Sequence, residues 1–290
     1  MPSIALVTCR ELPHPDHDLP ILVQAFAHRG HRARIVEWED GTVDWRHFDA
    51  AIVRSTWNYV ARYREFIAWI DRIASQVRLI NPLPTLRWNL HKGYLIELAK
   101  AGVPVVPTEL VASGAHPDWN ALFACHGDLV IKPAISAGSF ATIRVGRGDV
   151  SSAHAHRIQH LDRDLLVQPF LESVISNGES NLVHFGGRLS HAIHKGARWA
   201  GDDEQSRGLV DPDRAELELA AHALAAAESL GHGPLAYARV DMARGPSGTP
   251  LVMELEVVEP SLFLDYAPDR APMFVEAVER CTAATRGASL

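Results

Sequence analysis

Met253-Glu254-Leu255-Glu256-Val257 gives the clearest structural signal in this sequence of 290 residues. Its alternation of apolar and acidic residues predicts a β-strand on which Glu254 and Glu256 share one face. Two neighbouring carboxylates repel each other unless a cation lies between them. The pattern therefore favours a cation-binding face over the alternative, which is the solvated face of an edge strand.

A second stretch, Arg239-Val240-Asp241, shows the same alternation and places Arg239 and Asp241 on one face. If this strand pairs with the first one, three acids and one arginine meet on a single surface. Oxygen ligands of this kind suit Mg²⁺ bound to nucleotide phosphates, with phosphate oxygens and waters completing the octahedron. The two strands together predict a magnesium and phosphate site.

Three lysines could bind the phosphates. Lys132 ends a buried strand in Val130-Ile131-Lys132-Pro133, where an unpaired charge is costly, while Lys92 opens a helix and Lys195 ends a strand. Each alone is most often a surface lysine. Together with the loop 136–139, whose small residues expose backbone N–H groups, they indicate an anion-binding site without a P-loop, because no G-x-x-x-x-G-K-[ST] occurs.

Strand and helix patterns alternate along the chain, which favours an α/β protein. Short apolar strands at 4–7, 32–38 and 50–53, with an amphipathic helix over 66–77, predict an open, doubly wound parallel layer at the N-terminus. Further along, two strand patterns flank Gly186-Gly187, which suits a type I′ hairpin turn.

Composition narrows the class of protein. The chain has 35 acidic and 28 basic residues, a formal net charge of −7, which argues against a general nucleic-acid binder. We also expect no membrane span, since no window approaches ~18 uninterrupted apolar residues. The first residues are interpreted as a β-strand and not as a signal peptide. We therefore expect a cytoplasmic globular protein.

Cysteine and histidine patterns point to no other strong metal site. The three cysteines are far apart and form no C-x-x-C, so a disulfide scaffold and a structural zinc site are not expected. His14 and His17 lie in a loop with Asp16 and Asp18 and form a weaker alternative metal site. Loop histidines are usually solvated polar residues.

The order of the motifs resembles that of the ATP-grasp superfamily, in particular its glutathione synthetase-like members and the O-ureido-serine cyclo-ligase subgroup. The resemblance extends over nearly the whole chain. It rests on Lys92, Lys132 in I-K-P, the S-A-G-S loop at 136–139, Gln168-Pro169-Phe170-Leu171, Gly178-Glu179, Lys195, Arg239-Val240-Asp241 and Glu254-Leu255-Glu256. The stretches 54–59 and 256–261 are similar to parts of the subgroup.

The resemblance implies an α+β ATP-grasp fold behind the N-terminal doubly wound layer. Three ranges follow: 1–82 as a Rossmann-like substrate domain, 83–170 as a central lid subdomain, and 171–290 as a C-terminal subdomain with the magnesium site. In such enzymes two antiparallel layers close on ATP. The family's usual third metal ligand is an asparagine, and this sequence has Glu256 in its place.

The resemblance also implies a role for each matched residue. ATP is expected to bind with two Mg²⁺ ions, for which Mn²⁺ is a substitute. The implied roles are Lys92 and Lys132 on the α- and β-phosphates, Ser136, Gly138 and Ser139 as a phosphate lid, Gln168, Phe170 and Leu171 on adenine, Glu179 (or Glu172) on ribose, Lys195 and Arg239 by the γ-phosphate as catalytic groups, and Asp241, Glu254 and Glu256 on the metals.

The implied activity is an ATP-dependent carbon–nitrogen ligase of antibiotic biosynthesis. A small amino acid has its carboxylate activated as an acyl-phosphate, which a nitrogen of the same molecule attacks. The alternatives are a two-substrate amino-acid or peptide ligase and a non-catalytic nucleotide-binding protein, and a homo-oligomer stays open. The residues expected to bind the substrate are Arg54, Ser55, Thr56, Trp57, Glu259 and Ser261.

Overall fold

A computed structural model describes residues 1–196 and 206–283 of the chain. Its strands are β1 (Ser3–Thr8), β2 (Arg32–Glu37), β3 (Ala50–Ser55), β4 (Arg78–Ile80), β5 (Glu109–Val111), β6 (Leu129–Pro133), β7 (Ile143–Val145), β8 (Leu165–Pro169), β9 (Glu179–Phe185), β10 (Arg188–Lys195), β11 (Ser206–Leu209), β12 (Tyr237–Arg244) and β13 (Pro250–Glu256). Its helices are α1 (Asp18–His28), α2 (Tyr63–Ala74), α3 (Leu83–Asn89), α4 (Tyr94–Lys100), α5 (Trp119–His126), α6 (Val150–Gln159), α7 (Glu172–Ser176), α8 (Arg214–Ser229) and α9 (Ala271–Ala283), with short 3-10 turns at Trp45–His47, Trp57–Val60 and Pro268–Arg270.

The N-terminal sheet has the order β2-β1-β3-β4, and its strand pairs are parallel. The helical periodicity predicted after β3 is confirmed, since Phe66, Trp69, Ile70 and Ile73 of α2 are buried against this sheet. On the other face, α1 packs on β2 and against α9 from the end of the described chain. The parallel, helix-covered layer predicted for the first part of the chain is therefore present.

The central sheet is antiparallel, with the order β5-β8-β6-β7. Its apolar face packs on α5 and α6 and buries residues such as Phe123, Leu129 and Val167. The pairing of β6 with β8 sets Lys132 opposite Leu166, and Val130 opposite Gln168. This sheet supplies one wall of a cleft.

The C-terminal sheet has the order β11-β10-β9-β12-β13, and its strand pairs are antiparallel. The hairpin between β9 and β10 turns on Gly186 and Gly187, whose φ angles are +55° and +76°. A type I′ turn needs positive φ at both positions, which glycine adopts without steric cost. The predicted hairpin is confirmed.

The segment between the first two sheets packs on the third. Helix α4 lies against α8, and Val105 forms an isolated parallel bridge with Val252 of β13. Each sheet falls inside one of the ranges 1–82, 83–170 and 171–290, whereas the core of the third sheet includes residues of the second range. The division into domains stays a prediction. Within 1–196 and 206–283, no helix is long and apolar enough to cross a membrane.

Candidate active site

A cleft of about 670 Å³ lies between the central and C-terminal sheets and reaches the N-terminal sheet. Its lining comes from strands β6 and β8 on one side, from β12 and β13 on the other, and from the segment after β3. Of the predicted site residues, those on the lining are Trp57, Lys92, Lys132, Ser136, Gly138, Ser139, Gln168, Phe170, Leu171, Glu179, Lys195, Arg239, Asp241, Glu254, Glu256, Glu259 and Ser261.

The floor of the cleft is the paired face of β12 and β13. Arg239 lies opposite Glu256 and Asp241 lies opposite Glu254, so the pairing predicted from the two sequence stretches is present. The Arg239 guanidinium donates to both carboxylate oxygens of Asp241, at 2.7 and 2.8 Å, and to Glu256 at 2.6 Å. The intervening apolar residues Val240 and Leu255 are buried in the core behind the floor.

Glu254 joins two predicted phosphate-binding residues. Its carboxylate accepts hydrogen bonds from Lys92 Nζ at 2.6 Å and from Lys132 Nζ at 2.8 Å. Burial alone would raise the pKa of Glu254, but the two lysines hold it well below its usual range. Glu254 is therefore ionised, and both lysines converge on the floor.

The pKa values of the other two acids of the floor, Asp241 and Glu256, are shifted in opposite directions. Burial acts to raise the pKa of Asp241, yet the Arg239 guanidinium holds it below its ordinary value. Burial raises the pKa of Glu256 to about 7, with Arg239 opposing this rise and the neighbouring Asp241 and Glu254 reinforcing it. A cation placed among the three carboxylates would relieve their repulsion.

The donor set of the floor suits Mg²⁺ held jointly with phosphates. Asp241, Glu254 and Glu256 offer only oxygen ligands, which is the set that Mg²⁺ prefers, and Mg²⁺ normally keeps waters and phosphate oxygens as further ligands. No three acidic, histidine or cysteine side chains in the described ranges form a preorganised metal centre. In the floor, Arg239, Lys92 and Lys132 already bind the carboxylates.

The adenine candidates lie together along the end of β8. The Gln168 amide donates to Thr108 Oγ1 at 2.8 Å, and the Phe170 backbone N–H donates to the Asp128 carbonyl at 2.8 Å. The Arg144 guanidinium lies 3.7 Å from the centre of the Phe170 ring. These contacts fix the segment that would face the base. Leu171, buried, continues the same wall.

The two ribose candidates differ in position. Glu179, at the start of β9, lies on the cleft wall. Glu172 lies outside the cleft lining, where its carboxylate accepts from Arg144 at 3.0 Å. The geometry favours Glu179. The small-residue loop also lies on the wall, and Gly138 and Ser139 adopt positive φ angles of +58° and +60°.

Lys195 and Arg239 meet at one aromatic ring. The Lys195 ammonium lies 5.6 Å, and the Arg239 guanidinium carbon 5.5 Å, from the centre of the Phe263 ring. Lys195 is buried and lines the cleft. Phe263 itself has a positive φ of +53°, which is rare for a bulky side chain. The ring thus holds the two predicted γ-phosphate residues side by side.

One end of the cleft is built by Trp57, Tyr59, Glu259 and Ser261. The Trp57 indole N–H donates to the Glu259 carbonyl at 3.1 Å, and the Tyr59 hydroxyl is hydrogen-bonded to the Glu259 carboxylate. Burial is the largest cause that raises the pKa of Glu259 to about 7, and Glu256 adds to it. The sequence reasoning missed Tyr59, although it stands two residues after Trp57 in the same turn.

The structure corrects the expectation that Arg54 holds a substrate carboxylate. Arg54 is fully buried and absent from the cleft lining; its Nη2 donates to Asp18 Oδ2 at 3.2 Å and to the Pro260 carbonyl at 2.8 Å. Ser55 and Thr56 are also buried behind the lining. A residue at the carboxyl end of a strand can face either side of the sheet. Here the side chain of Arg54 faces the core.

Asp18 holds the segment that carries Glu259 and Ser261. Its carboxylate accepts the backbone N–H groups of Leu262, at 2.6 Å, and Leu264, at 2.8 Å, besides the Arg54 contact. His191 binds the Leu262 carbonyl at 2.8 Å from the other side. Asp18 thus has a structural role, which the alternative of a loop metal site did not anticipate.

Two antiparallel sheets that enclose lysines and a carboxylate floor, behind a parallel N-terminal layer, define an ATP-grasp ligase, an ATP-dependent carbon–nitrogen ligase. Residues 4–81 match the family described as D-cycloserine synthetase DcsG, N-terminal domain. The chain is 39% identical over 293 residues to the cycloserine biosynthesis protein DcsG of Streptomyces lavendulae, covering 96% of this chain and 98% of that protein. The chain therefore belongs to the DcsG family of ATP-grasp ligases.

Solved structures agree with this assignment. The crystal structure of D-cycloserine synthetase DcsG superimposes with a TM-score of 0.89 at 38% identity, over 97% of this chain and 99% of that one. The D-alanine–D-alanine ligase of Bacillus anthracis, solved with ATP, shares the fold with a TM-score of 0.69 at 13% identity, with 100% of both chains covered.

Proposed function

We propose that this enzyme uses Mg·ATP to activate the carboxylate of O-ureido-serine, or of a closely similar small amino acid, for attack by a nitrogen of the same molecule. The observation that carries the proposal is the convergence of Lys92 and Lys132 on Glu254, in a cleft floor shared with Asp241 and Glu256. The 39% identity to DcsG supports the substrate class and the cyclic product.

The chemistry needs activation because a carboxylate is a poor electrophile without a leaving group. A carboxylate oxygen attacks the γ-phosphorus of ATP, the bond to the β–γ bridging oxygen breaks, and ADP leaves. The substrate nitrogen then adds to the acyl carbon, loses its proton and expels inorganic phosphate. Positioning and charge neutralisation are sufficient for such a reaction, so no protein nucleophile is needed.

Different residues of the cleft are proposed to bind the metal ions, the phosphates, the adenine and the ribose. Bound Mg²⁺, proposed as two ions that Mn²⁺ could replace, would be held by Asp241, Glu254 and Glu256 and would supply charge neutralisation to the phosphates. We assign the other roles as follows: Lys92 and Lys132 to the α- and β-phosphates, Lys195 and Arg239 to the γ-phosphate, Ser136, Gly138 and Ser139 to the lid, Gln168, Phe170 and Leu171 to adenine, and Glu179 to ribose.

The amino-acid end of the cleft would bind the substrate's ammonium group. Glu259 is the anion best placed for this, since Tyr59 orients its carboxylate and Trp57 fixes its backbone. An ammonium group beside Glu259 would favour its ionised form. Ser261 adds a hydroxyl on the same wall. A tethered nitrogen has a high effective concentration, so ring closure needs no second binding site.

The proposed partner is this small molecule alone. The net charge of −7 does not favour nucleic acid. The cytoplasmic location and a homo-oligomer stay expectations from the sequence.

The test is phosphate and ADP release from Mg·ATP with single amino acids and their O-substituted derivatives. We expect O-ureido-serine alone to support turnover: ring closure gives a cyclic product of one substrate mass less water, and hydrolysis of the carbamoyl group that the ring nitrogen still carries then releases ammonia and carbon dioxide. If every single substrate stays at background and a second amine restores release, the enzyme is a two-substrate ligase. Nucleotide binding without turnover under all conditions would instead indicate a binding protein.

A further inference from the structure

Asn181 on β9 is a buried polar residue that the roles above leave unused. Its side chain is completely inaccessible to solvent, and among the residues that the structure describes neither its amide nitrogen nor its amide oxygen has a hydrogen-bond partner. An unpaired buried amide costs free energy, and buried polar groups in native proteins are normally bonded. Stability of this structure therefore does not explain why an asparagine is present at position 181.

The register places Asn181 beside the cleft floor. It lies directly opposite Asp241 of β12 on one side and opposite Ile193 of β10 on the other. Directly opposed residues of an antiparallel pair lie on the same face, with Cβ atoms about 5 Å apart. Glu179, two residues earlier on the same strand face, lines the cleft. Asn181 is therefore adjacent to Asp241, just beneath the surface.

Packing alone does not explain an amide at this position. Its neighbours Ile193 and Val183 belong to the apolar core, where an aliphatic side chain of similar size would lose no hydrogen bond. Asn81 makes the contrast clear. It is equally buried, but its amide bonds the carbonyls of Tyr237 and Val257 and the N–H of Ala236.

The Asp241 carboxylate needs hydrogen-bond donors to orient it. In this structure both oxygens of the Asp241 carboxylate accept from Arg239. If Asp241 binds Mg²⁺ and Arg239 turns to the phosphoryl group, as proposed above, the carboxylate loses the donors that orient it. Carboxylates that bind metals are in turn held by hydrogen bonds, and losing those bonds weakens metal binding.

We propose that Asn181 is a positioning residue for the Mg·nucleotide site: its amide N–H₂ donates to the Asp241 carboxylate once Arg239 is drawn away. In this structure Arg239 occupies both oxygens of the carboxylate to which the amide would donate. This inference rests on the proposed function. It adds a donor that acts in the loaded enzyme.

The test compares Asn181→Val with Asn181→Thr, two β-branched side chains of equal shape that differ in one hydroxyl donor. Dissociation constants for AMPPNP, an ATP analogue that keeps a γ-phosphoryl group but does not transfer it, are measured by calorimetry with Mg²⁺ and, separately, with EDTA, together with the melting temperature without nucleotide. We expect Asn181→Val to bind Mg·AMPPNP about tenfold more weakly, with AMPPNP affinity in EDTA unchanged and a melting temperature at or above that of the unsubstituted enzyme. Asn181→Thr should recover part of the affinity for Mg·AMPPNP.

The matched control is Asn81→Val, which removes an amide that is fully bonded in the ligand-free state. This variant should lower the melting temperature and leave the ratio of the two AMPPNP affinities unchanged. Equal Mg·AMPPNP affinities for the unsubstituted enzyme and Asn181→Val would overturn the inference, and so would failure of Asn181→Val to fold. Absence of Mg·AMPPNP binding by the unsubstituted enzyme would instead count against the proposed function.

Discussion

Two buried arginine–aspartate pairs have different surroundings: one lines the cleft and the other lies outside its lining. Arg239 and Asp241 form a two-point pair whose side chains are 5% and 6% exposed and open onto the cleft. Arg54 and Asp18 form a single contact whose side chains are 0% and 5% exposed and face the core. Nearly equal burial thus accompanies different surroundings.

The difference lies in what else each carboxylate binds. Asp18 accepts two backbone N–H groups and so fixes the chain between Pro260 and Leu264. Burial raises the pKa of Asp18 despite Arg54, whereas Arg239 holds the pKa of Asp241 below its usual value. Arg54 and Asp18, the sealed pair, hold a segment beside the cleft, while in Arg239 and Asp241, the open pair, the aspartate is kept ionised at the cleft surface. The sequence spacing of such residues does not distinguish these two uses.

The largest effect is expected from breaking the open pair. Asp241→Asn and Glu254→Gln each remove a carboxylate proposed to hold Mg²⁺, so we expect several kcal/mol of charge stabilisation to be lost from the transition state and turnover to fall about a thousandfold. Circular dichroism should show an intact fold. Glu172→Gln, outside the cleft, is the control and should keep its activity. Full activity of Asp241→Asn at low Mg²⁺ would contradict the metal assignment.

Breaking the sealed pair should act on stability first. Asp18→Asn leaves the buried Arg54 charge uncompensated and should lower the free energy of unfolding by about 3 kcal/mol, measured by urea titration. Asp44→Asn is the control, because the Arg46–Asp44 pair is on the surface and should contribute little. Unchanged stability of Asp18→Asn would show that the Asp18 contacts do not hold the wall.

Nucleotide binding should raise the melting temperatures of variants in the two pairs by different amounts. A ligand that binds only the folded state at a hundredfold excess over its Kd adds about 2.7 kcal/mol of stability. We expect saturating Mg·ATP to raise the melting temperature of the unsubstituted enzyme and of Asp18→Asn alike, and to leave Asp241→Asn nearly unshifted. Equal shifts in both variants would place the nucleotide away from the floor.

The smallest effect concerns pH and Glu259. Burial raises the pKa of Glu259 from its unfolded value near 4.5 to about 7. Between these two pH values the folded state binds more protons than the unfolded state. The free energy of unfolding without ligand should therefore decrease as pH rises from about 4.5 to about 7. Glu259→Gln should lose less stability between pH 5 and pH 8. Glu65→Gln is the control, because Arg62 lowers the pKa of Glu65 and the group stays ionised throughout. Parallel pH curves for Glu259→Gln and the unsubstituted enzyme would exclude a raised pKa.

Local sequence patterns predicted the features that depend on residues only a few positions apart in the chain. The two-residue alternation in β12 and β13 was sufficient to place Arg239, Asp241, Glu254 and Glu256 on one face, since pairing of adjacent strands then brings the faces together. The order of motifs supplied the ATP-grasp fold and the lysines. The turn at Gly186-Gly187 was predictable because its residues adopt positive φ.

Contacts between distant residues were not predictable in this way. Tyr59 meets Glu259 across 200 positions, and Asp18 reaches Leu262 across 244. The Arg54 side chain turns toward Asp18, a buried acid of α1, and no local sequence pattern predicts this contact. The stretch between β1 and α1 was interpreted as a loop with solvated histidines, and the structural role of Asp18, the first residue of α1, became visible only with the tertiary structure.

Glu254, held between Lys92 and Lys132, is a counter-ion that the chain itself supplies to these two lysines. Incoming phosphates would have to take the lysines from this carboxylate. Because Glu254 stays in the cleft, each bound phosphate would add its negative charge to the floor and would not replace an anion that leaves. We therefore expect nucleotide to bind more weakly without a divalent cation, which would offset this added charge among the carboxylates.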